Sequence, residues 1–422
     1  MTNVLVVGSG GREHTLAWKL SQSPEIGKLY CAPGNAGTAG LAANLDIADS
    51  DIEGLVDSAR SHAVDLVVVG PEAPLAAGLA DRLREEGFLV FGPDKAAARI
   101  ESSKSWAKEI MEEWGVPTGA ARVLASPDEA HEAVERANLP IVVKADGLTT
   151  GKGVYVCETR EDAHDAVRAL MEHGIFGAAG TTVLVEEFLT GLEVSLLAVT
   201  DGETVVPLLP ACDYKRIGEG DSGPNTGGMG AYCPPGRVSS ALIDQIIREV
   251  IRPTLDGIKA RAGSYRGVLY AGLILTEAGP KVLEFNCRFG DPETQVVLPM
   301  LESDFLQLCL SAARGDLANL PPLAWRNGAC VAVVLASEGY PGPYETGLEI
   351  QGLDDVPAGG LVFHAGTARD GERTMTAGGR VLAAVGRGPT IDAARDLAYA
   401  TADAIRYDGV YRRGDIAERE IP

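Results

Sequence analysis

Along the first hundred residues, short apolar runs alternate with segments of helical period. Residues 4–7, 29–32, 65–69 and 88–91 read as strands. Residues 12–22 place Leu16, Ala17 and Leu20 on one helical face, and 75–86 form a further helix. Such alternation predicts a parallel sheet with helices on both faces. Asp94 is positioned to cap a helical stretch running to Trp114, which Ser102 or Ser103 can restart and Gly115 ends. From Ile141 the pattern changes to strands joined by glycine loops: 141–144, 153–157, 183–187 and 194–199, with a helix at 161–172. Together these predict a small α+β lobe. A long amphipathic helix opens at Ser240, and Pro253 should kink or interrupt it. Strands at 268–275 and 281–285 and a helix at 304–313 precede Pro321-Pro322, a domain boundary. The last lobe reads as strands 330–336, 360–364 and 380–385 and a closing helix 391–405.

Composition narrows the function. The chain has 422 residues, enough for two to four domains, and a net charge of −22. That field repels nucleic-acid backbones, while a few local cations can still hold a phosphorylated small molecule. No apolar run approaches the roughly 18 residues of a membrane span, and no signal peptide is evident. Seven scattered Cys without a C-x-x-C pair fit a reducing cytoplasm, and six isolated His lack zinc-ligand spacing.

Five segments carry candidate chemistry. Gly8-Ser9-Gly10-Gly11 follows the first strand, but Glu13 occupies the last glycine position of a dinucleotide fingerprint, and no acidic residue ends the second strand. NAD binding is disfavoured. Either the helix N-terminus holds a phosphate with Arg12, or the glycines only make a tight turn. The segment from Lys144 to Gly153 is not a Walker loop. A glycine loop with a lysine at each end suits folding over a polyphosphate, and Lys144 ends an apolar strand, where a cation usually has a designated anion. Residues 185–189, followed by Glu193, can offer strand-edge groups to an adenine and a carboxylate to a ribose, though taken alone they fit a solvated strand end better. Residues 223–232 hold four glycines and let backbone approach a ligand, with Asp213, Lys215 and Arg216 before them. Finally, Glu284 and Asn286 share one face of a strand, as hard-cation ligands would, with Arg288 on the same side if the strand continues.

Together these motifs resemble the phosphoribosylamine–glycine ligase (glycinamide ribonucleotide synthetase) family of the ATP-grasp superfamily. The resemblance spans the chain, from Gly8–Gly11, Ala32–Thr38 and Val69–Leu75 through Lys144–Gly153 and Gly223–Tyr232 to Glu284–Gln295, His364–Thr367 and Gly378–Val381. It implies a multidomain α/β and α+β fold: a Rossmann-like N-terminal domain (1–103), an ATP-grasp domain (104–325) with a lid at about 120–190, and a small α+β C-terminal domain (326–422). It implies ATP with Mg²⁺ or Mn²⁺ and ligation of glycine to 5-phosphoribosylamine through glycyl phosphate. In that reading Lys104, Lys144, Gly151, Lys152 and Gly153 meet the phosphates, and Glu186, Glu187 and Leu189 hold the adenine. Glu193 holds the ribose, and Glu284 and Asn286 bind the metal. Asp213, Lys215, Asn225, Thr226, Gly227, Gly228, Met229, Arg288 and Asp291 surround the other substrates, with Gly10 and Gly11 lining the cleft and Asp213, Arg288 and Asp291 as catalytic candidates. A cytoplasmic monomer is expected, with small-molecule substrates, no nucleic-acid or membrane partner and transient contact with neighbouring purine-pathway enzymes. Cys212 stands where the family commonly has Gln, and Ser102 where it has Gly. Other readings are a related ATP-grasp ligase or a carboxylase, which would need bicarbonate, a nucleotide-binding regulatory module, or a Rossmann oxidoreductase.

Overall fold

The computed structural model describes residues 1–149 and 151–421; Thr150, inside the expected phosphate loop, lies outside them. At the N-terminus five parallel strands run in the order Ala43–Asn44, Ile26–Pro33, Thr2–Gly8, Leu66–Val69, Leu89–Phe91. Val4 and Val6 pack on one side with Leu16 and Leu20 of the helix Gly11–Leu20. Leu5 and Val7 pack on the other with Leu55, Leu79 and Leu83. Burial on both faces is why these strands read as unbroken apolar runs. The expected helix at 75–86 is two, Glu72–Ala77 and Leu79–Glu85, because Gly78 between them takes a left-handed φ of 104°. The helical stretch after Asp94 likewise splits into Lys95–Ser102 and Lys104–Glu113. Ser103 caps the second, its Oγ accepting from the Trp106 N–H at 3.3 Å. Asp94 does not cap; its carboxylate pairs with Arg84.

The lobe from 120 to 190 is a four-stranded antiparallel sheet, in the order Ala121–Leu124, Val183–Glu187, Ile141–Ala145, Val154–Cys157. Its own core includes Val134, Val143, Val167 and Val185. The segment around 194–199 does not belong there. It lies within Leu192–Thr200, which joins a second sheet in the order Val205–Pro207, Leu192–Thr200, Gly267–Thr276, Gly279–Asn286. Strand spacing alone could not separate the two sheets. In the long helix that Pro253 was expected to break, Ser240–Ile246 gives way to wider-wound turns at Ile247–Ile251 and resumes as Arg252–Ala262. Proline lacks an N–H and crowds the carbonyl four residues back.

The C-terminal sheet combines distant segments: Cys212–Asp213, Gly230–Cys233, Ala329–Ser337, Arg380–Gly388 and Leu361–His364, with the helix Ile391–Ala404 packed on it. A three-stranded sheet of Glu349–Ile350, Arg373–Thr376 and Thr367–Asp370 stands beside it. Among the described residues, no helix is long and apolar enough to cross a membrane.

Candidate active site

The second sheet positions the site through its register. Ser195 pairs with Gly272 and Gly272 with Glu284; Tyr270 pairs with Asn286. Directly opposed residues share a face, and so do alternate residues of one strand. Glu193, Ser195, Tyr270, Glu284 and Asn286 therefore lie on one side, while Leu196, Ala198, Ala271, Leu273 and Phe285 are buried on the other. The polar face is the floor of a cleft roofed by the lid.

Toward the lid the cleft is cationic. Lys144 reaches down from its strand, its Nζ 3.1 Å from the Leu283 carbonyl and 2.8 Å from Glu186 Oε2. Lys108 approaches the other oxygen of Glu186 at 3.5 Å and donates to Thr118 Oγ1 and the Gly119 carbonyl. Lys104 donates to the Gly147 carbonyl at 3.2 Å. Burial lowers the pKa of Lys104 and Lys108. Lys108 and Lys144 thus share the buried Glu186 carboxylate, while Lys104 faces Glu284 and Asp146; ammonium groups gathered in this way suit a polyphosphate. The Glu186 carboxylate is turned to these lysines, leaving its strand backbone for a base. Glu187 accepts from the Ala120 N–H and lies 3.7 Å from Lys281, and Leu189 packs near Gly119.

The glycine loop spans lid and C-terminal sheet. Gly151 has φ 77° and lies beside the Thr226 carbonyl, and Gly153 donates to Thr149 Oγ1. Lys152 is exposed and donates to the Pro341 carbonyl at 3.3 Å, so it stands apart from Lys104, Lys108 and Lys144. The second glycine loop is packed. Thr226 donates to the Lys215 carbonyl through both N and Oγ1, Met229 is buried, and Asn225 ends a hairpin strand paired with Arg216. Gly228, at φ 116°, lies so close to Pro292 that a Cβ would fall 2.4 Å from its Cδ. Arg380 fastens this contact, donating to the carbonyls of Gly227 (2.7 Å) and Asp291 (3.0 Å), with the Asp291 carboxylate 3.2 Å away.

At the far end the charge reverses. Lys215 Nζ lies 2.8 Å from Glu193 and 3.0 Å from Asp213. Against the pull of burial, Asp213 and Glu193 hold its pKa well above the ordinary value, and Lys215 lowers that of Glu193. Cys212, beneath them, donates to the Glu193 carbonyl at 3.2 Å. Arg288 is clamped between Glu72 (3.2 Å) and Glu101 (2.9 Å), and it also donates to Asn286 Oδ1 at 3.1 Å. It thereby ties the strand Gly279–Asn286 to the N-terminal domain. Against burial, Glu101 and Glu72 hold its pKa above the ordinary value. Asp291, its pKa lowered by Arg380 and Arg12 despite burial, also accepts from Gln295.

The Gly10 N–H is not an open anion site. Glu13 folds back to accept from it at 2.6 Å, and Arg12 Nε pairs with the same carboxylate at 2.5 Å. A Cβ on Gly8 or Gly70 would strike Glu13. Of the two readings of these glycines, the tight turn holds at Gly10. Gly10 and Gly11 border Asp291 and Gln295.

Among the described residues none makes a hydrogen bond or close ion pair with Glu284, though the Lys104 ammonium acts on it, and Asn286 beside it is buried. A carboxylate and an amide oxygen on one strand face fit a hard cation that keeps water and phosphate oxygens as further ligands. No cluster of three or more His, Cys, Asp or Glu suited to a metal exists among the described residues. Sequence reasoning missed Lys108, Ser195, Tyr270 and Glu293. Lys108 sits on an amphipathic helix like any solvated lysine, and the other three acquire meaning only through register. A cavity of about 660 Å³ lies elsewhere, lined by His14, Trp18, His364, Arg369 and Arg373.

The phosphoribosylglycinamide synthetase family's N, ATP-grasp (A) and C domain models match residues 2–101, 102–294 and 330–419. A phosphoribosylamine–glycine ligase of Nostoc sp. is 51% identical over 421 residues, 99% of each chain. The human trifunctional purine biosynthetic protein adenosine-3 is 48% identical over 422 residues, 99% of this chain and 42% of that one. The crystal structure of phosphoribosylamine–glycine ligase from Thermotoga maritima superposes with a TM-score of 0.85 at 35% identity, covering 98% of this chain and all of that one. The biotin carboxylase domain of Hydrogenobacter thermophilus 2-oxoglutarate carboxylase shares the fold, at a TM-score of 0.74, 18% identity and coverage of 97% and 91%.

Proposed function

The chain belongs to the phosphoribosylglycinamide synthetase family, and from that premise we propose how its cleft performs the family's reaction. That reaction is the ATP-dependent ligation of glycine to 5-phosphoribosylamine in purine biosynthesis. The glycine carboxylate attacks the γ-phosphorus of ATP, ADP leaves, and glycyl phosphate forms. The amine of 5-phosphoribosylamine then attacks the acyl carbon, phosphate departs, and glycinamide ribonucleotide is released after loss of a proton.

The observation that carries this reading is the polarity of the cleft, with Lys104, Lys108 and Lys144 at one end and the carboxylates of Glu193 and Asp213 at the other. Lys104, Lys108 and Lys144 neutralise the phosphates, and Glu186 holds two of those ammonium groups in place. The strand edge at Glu187–Leu189 takes the adenine and Glu193 the ribose. Glu284 and Asn286 are the residues that would hold Mg²⁺ or Mn²⁺; bound there, such an ion would neutralise charge on the phosphoryl group in transfer. The loop about Gly151–Gly153 excludes water from the acyl phosphate. Arg288 holds Asn286 in place, and Arg380 with Asp291 seats the second glycine loop against the substrates. All seven cysteines are free and buried, with thiol pKa values raised by burial. A phosphate rather than a protein thiol therefore carries the acyl group. These free thiols suit a reducing compartment, and we place the reaction in the cytoplasm.

The test is an atom transfer. Glycine carrying heavy oxygen in its carboxylate should give inorganic phosphate with one labelled oxygen per turnover, and unlabelled ADP. AMP and pyrophosphate as products would show adenylation instead, and unlabelled phosphate would show hydrolysis uncoupled from acyl transfer.

A further inference from the structure

We infer that Glu293, acting with Asp213, receives the ammonium group of glycine and makes the cleft selective for an amino acid over other small carboxylates. This rests on the ligase reading above and names a recognition residue within it.

Glu293 is 4% exposed and lies beneath the polar face of the sheet. The Tyr270 hydroxyl donates to its Oε1 at 2.8 Å, and the Ser195 hydroxyl lies 2.7 Å from the Tyr270 oxygen and 3.3 Å from the same Oε1. Among the described residues, no other residue donates a hydrogen bond to Oε2. It packs over Gly290, where a Cβ would come within 2.5 Å of it and 3.1 Å of Tyr270 Cε2. Burial and then Asp213 raise the Glu293 pKa, so the two carboxylates feel each other. With Glu193 they form three acidic groups around the single ammonium of Lys215. The next cation, Arg419, stacks on the Tyr214 ring, donates to the Asp213 carbonyl at 3.1 Å and lies 3.7 Å from the Asp221 carboxylate. Buried carboxylates are costly unless a cation answers them. Here the neighbouring cations, Lys215 and Arg419, are fewer than the three carboxylates.

Glycine is the substrate that brings a cation. Its carboxylate must lie toward the γ-phosphate, near Glu284, and its ammonium must point away. The Tyr270 ring spans that interval. Its Cε1 edge lies beside Gly272, against which Glu284 also packs, and its hydroxyl meets Glu293. Adjacent strands lie about 4.8 Å apart, so moving one strand over from Glu284 covers about the length of a glycine zwitterion. The floor beneath is Gly272 and Gly290, both closely packed.

The experiment compares the enzyme with Glu293→Gln, which keeps shape and removes charge. The KM for glycine should rise at least about thirtyfold, the effect of truncating one partner of a buried charge pair. The KM values for ATP and 5-phosphoribosylamine should stay within about twofold. Glycolate, which has a hydroxyl where glycine has its ammonium, supplies a readout that a purely structural role would not move. It should inhibit the wild type weakly relative to glycine binding, and the ratio of its Ki to the glycine KM should fall in the variant. If Glu293→Gln does not fold, Tyr270→Phe should raise the glycine KM alone by a smaller factor. An unchanged glycine KM, a parallel rise of all three KM values, or an unchanged glycolate ratio would overturn the assignment. Failure of the wild type to form ADP in a glycine-dependent way would instead overturn the ligase reading, before any variant is made.

Discussion

Lys144 shows what a single residue declares and what it conceals. A lysine ending an apolar strand announces an anion, and that was legible in the sequence. Its resident partner was not, because Glu186 looks like a strand-end carboxylate until the lid sheet folds and sets it 2.8 Å away. Lys144→Ala should therefore have two separable effects. Of its cations among the described residues, Glu186 would keep only Lys108, at 3.5 Å, and orphaning half of a buried pair costs about 3 kcal/mol. The ATP KM should rise at least about tenfold, equivalent to about 1.4 kcal/mol. The double variant Lys144→Ala/Glu186→Gln should recover much of the stability without recovering ATP affinity. Denaturant unfolding and ATP titration on the same samples check this; recovery of both together would make Lys144 a structural residue only. Glu284 and Asn286 make a similar contrast. Alternation along one strand put them on one face, but nothing in the sequence indicated that Arg288 would be held by Glu72 and Glu101 from the N-terminal domain. Glu284→Gln should raise the Mg²⁺ concentration for half-maximal activity severalfold, and a metal titration unchanged from wild type would remove it from the metal site.

Elements buried on both faces were the easiest to read, because apolar runs such as Val4–Val7 leave no other assignment. Short strands with exposed residues, such as Thr367–Asp370, escaped detection because their pairing rather than their composition makes them strands. The glycine loop about Gly151 belongs to this scale. It is tied to the helix Lys104–Glu113 through Asp146, which accepts from the Ser105 N–H at 2.6 Å and from the hydroxyls of Ser103 and Ser105. The carboxylate stands at the positive end of that helix. On its other side the loop touches the second glycine loop at Thr226 and the Pro341 carbonyl. Nucleotide should therefore protect residues 147–153 and 226–228 from hydrogen exchange together. Protection of the first segment without the second would show that the two loops are not coupled. Asp146→Ala should destabilise the protein by about 1–2 kcal/mol through the lost cap and loosen the loop in the absence of ATP.

At the scale of the whole molecule, the N-terminal domain meets the C-terminal lobe through two histidines that no motif identified as a pair. The His14 Nδ1 accepts the His364 backbone N–H at 2.8 Å, which only the neutral ring can do, and the rings lie 5.4 Å apart. Asn35 closes the same contact by donating to the His364 carbonyl. Burial, with the neighbouring His364, pushes the His14 pKa down to about 3, and burial with Arg369 pushes that of His364 down to about 4. An unfolded histidine titrates near 6.5. Above that pH neither state binds these protons, and the stability is present in full. Below it the unfolded chain takes up as many as two protons that the native protein refuses, so stability is lost as pH falls, at up to about 2.7 kcal/mol per pH unit. Between pH 7 and pH 5 this pair should remove about 4 kcal/mol. Glu101 and Glu293, whose pKa values burial raises, act in the opposite sense, so the pair's share must be isolated by difference. In His14→Gln the loss between pH 7 and pH 5 should shrink by about 2 kcal/mol, one histidine's share. Denaturant unfolding of both proteins at pH 7, 6 and 5 measures it, and parallel pH dependence in the two would show that His14 does not govern the acid sensitivity of this domain contact.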